Sequence, residues 1–315
     1  MINPNLKIDH VHLKVSNLER SLQFYRSILG FKIIRQEGKT AFLSSSSSSS
    51  SSNNKDSSMF LVVLSEIKSE IKDSAISYTF QHRSKVAGLY HFAILLPERR
   101  YLGYFLKHIQ KNLNSEYYEG MADHAVSESI YIHDPDFNGI EVYRDRDPSE
   151  WKWKDHTVYM VTEPLNVKDL LKEAVDLDNE WNELPAKTSN GHVHLHVSNL
   201  AKAKKFYHDI LELNHTATYP GAYFFAANRY HHHIATNNWL GESIPPAYSN
   251  NNKPGLDHYA INLHSRNDLF LLKDRLLEFK INIDDAQLIE GDNQFPSSFY
   301  AYDFDGIKIQ FLYNN

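Results

Sequence analysis

The chain contains no cysteine, which excludes disulfides and thiolate metal sites and leaves any bound metal to His, Asp and Glu. No run approaches the roughly twenty apolar residues of a membrane span. The opening MINPNLKIDH has no basic stretch followed by an apolar one, as a secretory leader would. These absences predict a cytoplasmic protein with no membrane partner. An excess of positive charge is missing too. Lys and Arg number 33 against 39 Asp and Glu, a net charge of −6, so there is no sign of the basic face that nucleic acid requires. What is present is ordinary in bulk: 315 residues, 42% hydrophobic and 23% charged, enough for one large or two ordinary domains. The 18 histidines are many for this length. The 19 tyrosines and 17 phenylalanines would line an apolar pocket, although most aromatics serve the core.

The sequence repeats itself. With a shift of 182, IDHVHLKVSNLERSLQFYRSILGF at 8–31 falls on NGHVHLHVSNLAKAKKFYHDILEL at 190–213, so that His10 lands on His192 and His12 on His194. With a shift of 167, GLYHFAILL at 88–96 falls on GLDHYAINL at 255–263, placing His91 on His258. Each of the four segments opens as an alternating apolar run, the pattern of a half-buried strand. A helix follows, with Ser16 or Asn17 as N-cap and Leu18, Leu22, Tyr25 and Leu29 at helical spacing in the first copy. Leu102, Phe105 and Ile109 are the counterparts in the second copy, and Leu269, Leu272, Leu276 and Phe279 in the fourth. Short strands close the units over 59–64, 130–143, 223–233 and 299–313.

This pattern predicts an α+β fold of four βαβββ modules at 6–70, 86–145, 189–240 and 254–315. A serine-rich insert at 44–58 interrupts the first and reads as a solvated hairpin extension. Residues 146–188, with Trp151, Trp153 and a helical run at 167–177, form an ordered connecting strap. One module cannot bury both faces of its sheet, so the modules should pair.

The densest chemistry lies at 123–141, where Asp134-Pro135-Asp136 makes a tight turn between two strands and lets Tyr131 and Glu141 face one interior. This stretch resembles the signature of the extradiol ring-cleavage dioxygenases of the vicinal oxygen chelate (glyoxalase/bleomycin resistance/extradiol dioxygenase) superfamily. There a His precedes an apolar-Tyr pair, then Asx-Pro-x-Gly and a ligand Glu. Phe137 stands where that pattern has Gly or Pro, and Ala122 where Gly is common. GLYHFAILLPERR, DHAVSESIYIHDPD, GHVHLHVSNL and YHHHIATNNW together are most similar to the Bacillus-type catechol 2,3-dioxygenases.

The resemblance implies His91, His192 and Glu141 as metal ligands, and Fe(II), or Mn(II), as the metal. It places His124 and Tyr131 where they hydrogen-bond substrate, with His194 beside them, and puts an acid–base histidine in the run His231-His232-His233. Alignment of Ile234-Ala235 selects His232, with a register uncertainty of one residue. Two imidazoles and one carboxylate leave open positions for a diol and O₂, and an imidazole titrating near neutrality can take and return a proton. The implied partners are a small aromatic diol and O₂, within a homo-oligomer. Because the ligands come from the second and third modules, the second should pair with the third and the first with the fourth, giving two eight-stranded, cup-like sheets.

A histidine on a strand is ordinarily a satisfied core or surface residue, and His12, His194 and His196 read first as such. His10, His258 and Gln310 occupy the repeat positions of the ligand set, but a neutral Gln removes its only anion, so this reads as a vestigial second cavity, with a Gln-ligated site like that of glyoxalase I-type isomerases as the alternative. Three competing functions remain: a glyoxalase-type metal-dependent isomerase or lyase, a hydroquinone-cleaving dioxygenase, and a metal-free binder of the bleomycin-resistance kind.

Overall fold

The computed structural model describes residues 6–45, 60–67, 85–174, 181–250, 252–285 and 298–313; most of the serine-rich insert lies outside them. A strand–helix–three-strand unit recurs four times. The first comprises β1 (Lys7–Val15), α1 (Leu18–Ser27), β2 (Lys32–Glu37), β3 (Thr40–Ser44) and β4 (Val62–Glu66). The second comprises β5 (Gly88–Leu95), α2 (Arg99–Asn112), β6 (Tyr118–Asp123), β7 (Ser127–His133) and β8 (Gly139–Asp145). A connecting segment with β9 (Trp153–Lys154), β10 (Thr157–Val158) and α3 (Val167–Lys172) leads to the third unit. That unit holds β11 (Ser189–His196), α4 (Leu200–Lys204), β12 (Asn214–Tyr219), β13 (Ala222–Ala226) and β14 (Ile234–Asn237). The fourth holds β15 (Gly255–Asn262), α5 (Arg266–Glu278), β16 (Ile283–Asp285), β17 (Ser298–Tyr302) and β18 (Lys308–Leu312).

Local sequence explains these elements. Asn17 caps α1, its side-chain oxygen accepting from Arg20 N at 2.9 Å, and the helix buries Leu18, Leu22 and Tyr25. The predicted stripe of α2 (Leu102, Phe105 and Ile109) is buried, as are Leu269, Leu272 and Leu276 of α5. Phe279 departs from its stripe: α5 ends at Glu278 and the ring is 43% exposed. In the third unit α4 widens into a π-helical turn over Lys205–Ile210 that buries Phe206, Tyr207 and Ile210. The helix expected over 167–177 is shorter, stopping at Lys172, and part of that range lies outside the described residues. The strand expected over 223–233 is also cut short. β13 ends at Ala226, and 227–233 bends before β14 begins.

In every unit the last strand runs parallel to the first, with β4 on β1, β8 on β5, β14 on β11 and β18 on β15. Between units, β5 pairs antiparallel with β11, and β1 with β15. The second unit therefore faces the third, and the first the fourth. In place of two separate sheets, the described strands make one 16-stranded sheet, because β1 and β11 also meet at Ile8↔Asn190. The Asn190 amide closes that seam by donating to the Asp9 and Leu61 carbonyls at 3.1 and 2.8 Å.

Further ties cross between units. Tyr25 of α1 donates to Asp134 Oδ2 at 3.1 Å, and Tyr207 donates to Asp303 Oδ2 at 2.9 Å. Both aspartates also cap their own turns through backbone N–H groups, and burial pushes both carboxyls up to about 7. Arg99 of α2 reaches Glu128 of β7, Asp169 and Glu173, fastening the connecting segment to the second unit.

Gly139 is a tight point in this frame. It lies opposite His91 in the β5–β8 ladder, and a Cβ there would stand 2.0 Å from the Tyr90 carbonyl oxygen. Backbone cannot yield as a flexible side chain would. Gly139→Ala is expected to lower stability by about 1–3 kcal/mol, as overpacking does. Gly120→Ala, with nothing within 4 Å, should stay within about 0.5 kcal/mol of the parent. Urea unfolding of the two variants checks this, and equal midpoints would contradict it.

Candidate active site

The ladder between β5 and β11 sets His194 opposite His91 and His192 opposite Ala93, while β8 runs along the other side of β5 with Glu141 opposite Ala93. Three strands thus deliver His91, Glu141 and His192 to one place. One donor atom from each lies within 4.8 Å of the others, and all three residues are buried. Glu141 Oε2 is 3.0 Å from His91 Nε2 and 3.0 Å from His192 Nε2, and Ser129 donates to Glu141 Oε1 at 2.6 Å. Burial alone would raise the Glu141 carboxyl; the His192 and His91 imidazoles outweigh it and hold the group well below the usual range.

The fit of this set to a cation can be judged from its unmet polar atoms. His91 Nε2 is buried and makes no well-directed hydrogen bond although Glu141 is beside it. Two imidazole nitrogens and one carboxylate oxygen converging in this way are the donor set of a non-haem divalent metal. His91, Glu141 and His192 are the residues that could hold one.

These residues line a cavity of about 820 Å³, with Tyr90, Phe224 and Trp239 among its aromatic walls and residues 152–154 and 157–162 of the connecting segment along another side. His124, Tyr131, His194 and His232 line it too. Tyr131 faces Glu141 across the β7–β8 ladder, so the turn at Asp134 brings them together as the sequence suggests. Phe137 completes that turn with φ 61°, a left-handed conformation that glycine adopts without strain. His124 Nδ1 is 2.6 Å from the Val161 carbonyl, which makes Nδ1 the protonated nitrogen; Tyr131 then donates to Nε2 at 2.7 Å. His194 Nε2 accepts from Asn237 Nδ2 at 2.9 Å, so it is a hydrogen-bonded wall of the cavity.

The His231–His233 run is bent, and strand alternation does not govern it. His232 packs against His192 with ring centroids 4.1 Å apart and the planes tilted by 48°, and it lines the cavity. His231 Nε2 lies 2.7 Å from Asp145 Oδ1, and His231 Nδ1 lies 2.8 Å from His232 Nδ1. With Nε2–H given to the carboxylate, His231 Nδ1 accepts from His232 Nδ1–H, and His232 Nε2 keeps its lone pair. Regular strand alternation would put His231 on the face opposite His232; in the bent run it instead sets the tautomer of its neighbour. A titration of His232 near neutrality was expected too, but burial and the His192 and His231 rings push it well below its usual value, so the ring is neutral.

Sequence reasoning missed Ser129, Asp145, Tyr143 and Tyr230. Ser129 lies two residues before Tyr131, and Tyr143 and Asp145 lie two and four after Glu141, so strand alternation alone puts them on the same faces. Tyr143 and Tyr230 share a 2.8 Å hydrogen bond, and Tyr230 donates to Asp145 Oδ2 at 2.8 Å. The repeat-equivalent set diverges. His10 Nδ1 is bound to Asp9 Oδ1 at 2.8 Å, and Gln310 Nε2 to Ser298 Oγ at 3.3 Å.

A curated relative, "Catechol-2,3-dioxygenase" of Bacillus subtilis (strain 168), is 37% identical over 289 residues, covering 91% of this chain and 93% of its own. Among solved structures, one from Bacillus subtilis subsp. subtilis str. 168 superposes with TM-score 0.60 at 10% identity, covering 98% of this chain and 85% of that one. Glyoxalase I from Zea mays superposes with TM-score 0.52 at 17% identity, covering 98% and 93%. At such identities the structures speak for the fold alone. The sequence matches a family profile over residues 7–154 and 190–311, and the chain belongs to the Glyoxalase/Bleomycin resistance protein/Dioxygenase superfamily.

Proposed function

We propose that this chain is an Fe(II)-dependent extradiol dioxygenase that cleaves the ring of catechol or a related dihydroxy-aromatic with O₂. The observation that carries the reading is the sharing of Glu141 Oε2 between His91 Nε2 and His192 Nε2, each at 3.0 Å, on the wall of a cavity that also holds a neutral His232. The 37% identity to a catechol-2,3-dioxygenase over nearly the whole chain supports it. Ferrous iron, when bound, supplies open positions for both diol oxygens and O₂. The chain's residues do the rest. His91, His192 and Glu141 would hold the ion, and the set brings a single negative charge to it. Tyr90, Phe224 and Trp239 suit a planar ring. His232 Nε2 has the free lone pair of a general base, and the His231–Asp145 pair behind it fixes the ring. Tyr131 and His124 present a hydroxyl–imidazole pair to the substrate space, and Mn(II) fits the same ligands.

The class is tested by anaerobic reconstitution with Fe(II) followed by oxygen uptake on addition of catechol. Stoichiometric uptake with a yellow ring-opened product is expected. Turnover without oxygen consumption would point to a glyoxalase-type isomerase instead. Glu141→Gln is nearly isosteric and removes only charge, so most iron and activity should be lost, while Gln310→Ala should leave ring cleavage nearly intact. Metal analysis showing the reverse would move the working centre to the other half of the molecule.

His232→Ala should keep its iron and lose turnover by about 10²–10⁴-fold, the range for general acid–base groups. Tyr131→Phe, which removes a hydroxyl alone, should lose less. His231→Ala is expected to fall between the parent and His232→Ala. His233→Ala serves as the control, because its Nδ1 accepts only a long 3.4 Å bond from Ala227 N. Single-turnover rates check the series, and full activity in His232→Ala would refute the assignment.

A further inference from the structure

The seam between the first and fourth units carries a second group of metal-binding side chains, built differently from the first. His12 faces His258 across the β1–β15 ladder, and the register then slips, with Leu13 opposite Leu256. Asp257 is thus the extra residue of a β-bulge, and a bulge re-aims the side chain it carries. Asp257 Oδ2 lies 2.7 Å from His258 Nδ1 and 3.8 Å from His12 Nδ1, and one donor atom from each of the three lies within 4.8 Å of the others. His12 is oriented from behind, its Nε2 lying 2.8 Å from Ser65 Oγ, which in turn contacts Thr40 Oγ1 at 2.9 Å. In the tautomer that donates Nε2–H to Ser65, the one a metal-ligating His12 needs, the Nδ1 lone pair faces a carboxylate oxygen. Two acceptors facing each other across 3.8 Å are a geometry that a cation satisfies, and a hydrogen bond behind the ligating imidazole is the usual support of a metal histidine.

We propose that His12, Asp257 and His258 form a second site for a first-row transition-metal dication of the Zn(II) type, clasping β1 to β15. Two nitrogens among three donors favour such an ion over Ca²⁺ or Mg²⁺, which take oxygen. Loading exchanges the His258 Nδ1–H···Asp257 hydrogen bond for two bonds to the ion, and the ring proton moves to Nε2. The set is not a copy of His91, Glu141 and His192. The equivalents of Glu141 and His192 are Gln310 and His10, and both are occupied elsewhere. The carboxylate here comes from the bulge, at the position that Tyr90 holds in the other half, where the β5–β11 register slips in the same way. Lys308 flanks the site, its Nζ 3.9 Å from Asp257 Oδ2 and 4.1 Å from the Tyr300 ring centroid. It competes with the ion for Asp257.

The test counts zinc on the full chain. Protein stripped with a chelator is dialysed to equilibrium against Zn²⁺ alone, and the bound metal is measured. Asp257→Asn and His12→Ala should each bind one ion fewer than the parent. Lys308→Met should bind the same number with severalfold tighter affinity at this site. Glu141→Gln should also lose one ion, and Glu141→Gln combined with Asp257→Asn should lose both, so the two sites are read separately. In the Glu141→Gln background, zinc should raise the melting temperature, and adding His12→Ala should abolish that rise. Zinc content unchanged by Asp257→Asn and by His12→Ala, in chains whose circular dichroism matches the parent, overturns the proposal. That result would leave the centre at Glu141 untouched.

Discussion

The antiparallel ladder between β5 and β11 is the constraint on which the site depends. His91 and His192 belong to different units, and neither unit contains a complete donor set. Only when the two strands pair do the imidazoles come within reach of one carboxylate, and only the parallel addition of β8 to β5 supplies that carboxylate. Burying Glu141 without partners would cost several kcal/mol. The two imidazoles and the Ser129 hydroxyl make its burial tolerable, so the pairing of the units and the chemistry of the site are one arrangement.

Much of this was legible in the sequence, for identifiable reasons. The repeat exposed the unit structure, the N-cap and apolar stripe placed α1, and the stripe of α2 marked that helix's buried face. The Asp134-Pro135-Asp136 turn announced that Tyr131 and Glu141 oppose each other. Phe279 and the 223–233 segment were misread because an apolar residue just past a helix end, or a histidine run, keeps its local pattern while the backbone turns away. The role of His231 was hidden for the same reason, since alternation assigns faces only where the strand is regular. The link from Asp145 to His231 joins residues far apart in the chain, and no local pattern encodes it.

The two halves of the molecule show what repetition preserves and what it releases. The spacing of the paired imidazole rings is 5.6 Å for His91 and His192 and 5.6 Å for His10 and His258. The serine twelve residues before the ligand position is retained as well, Ser129 beside Glu141 and Ser298 beside Gln310. The charge, however, has moved. In one half it sits on the strand beside the histidines, and in the other on the bulge at Asp257. Backbone geometry is a shared property of the four units, whereas the position of a carboxylate is free to differ between them.

The partnering of β1 with β15 has a consequence for how the chain is made. The first unit leaves the ribosome before the other three, yet its sheet partner is the fourth, made after them. Its own helix is tied by Tyr25 to Asp134 of the second unit, so a provisional neighbour is available in the meantime. The open edge of β1 must nonetheless wait for the fourth unit, and such distant pairing is slow to form. β4 covers one edge of β1 from within its own unit, but until β15 arrives the other edge stands unpaired, a hazard for self-association that falls on the newborn chain and vanishes once the seam is closed.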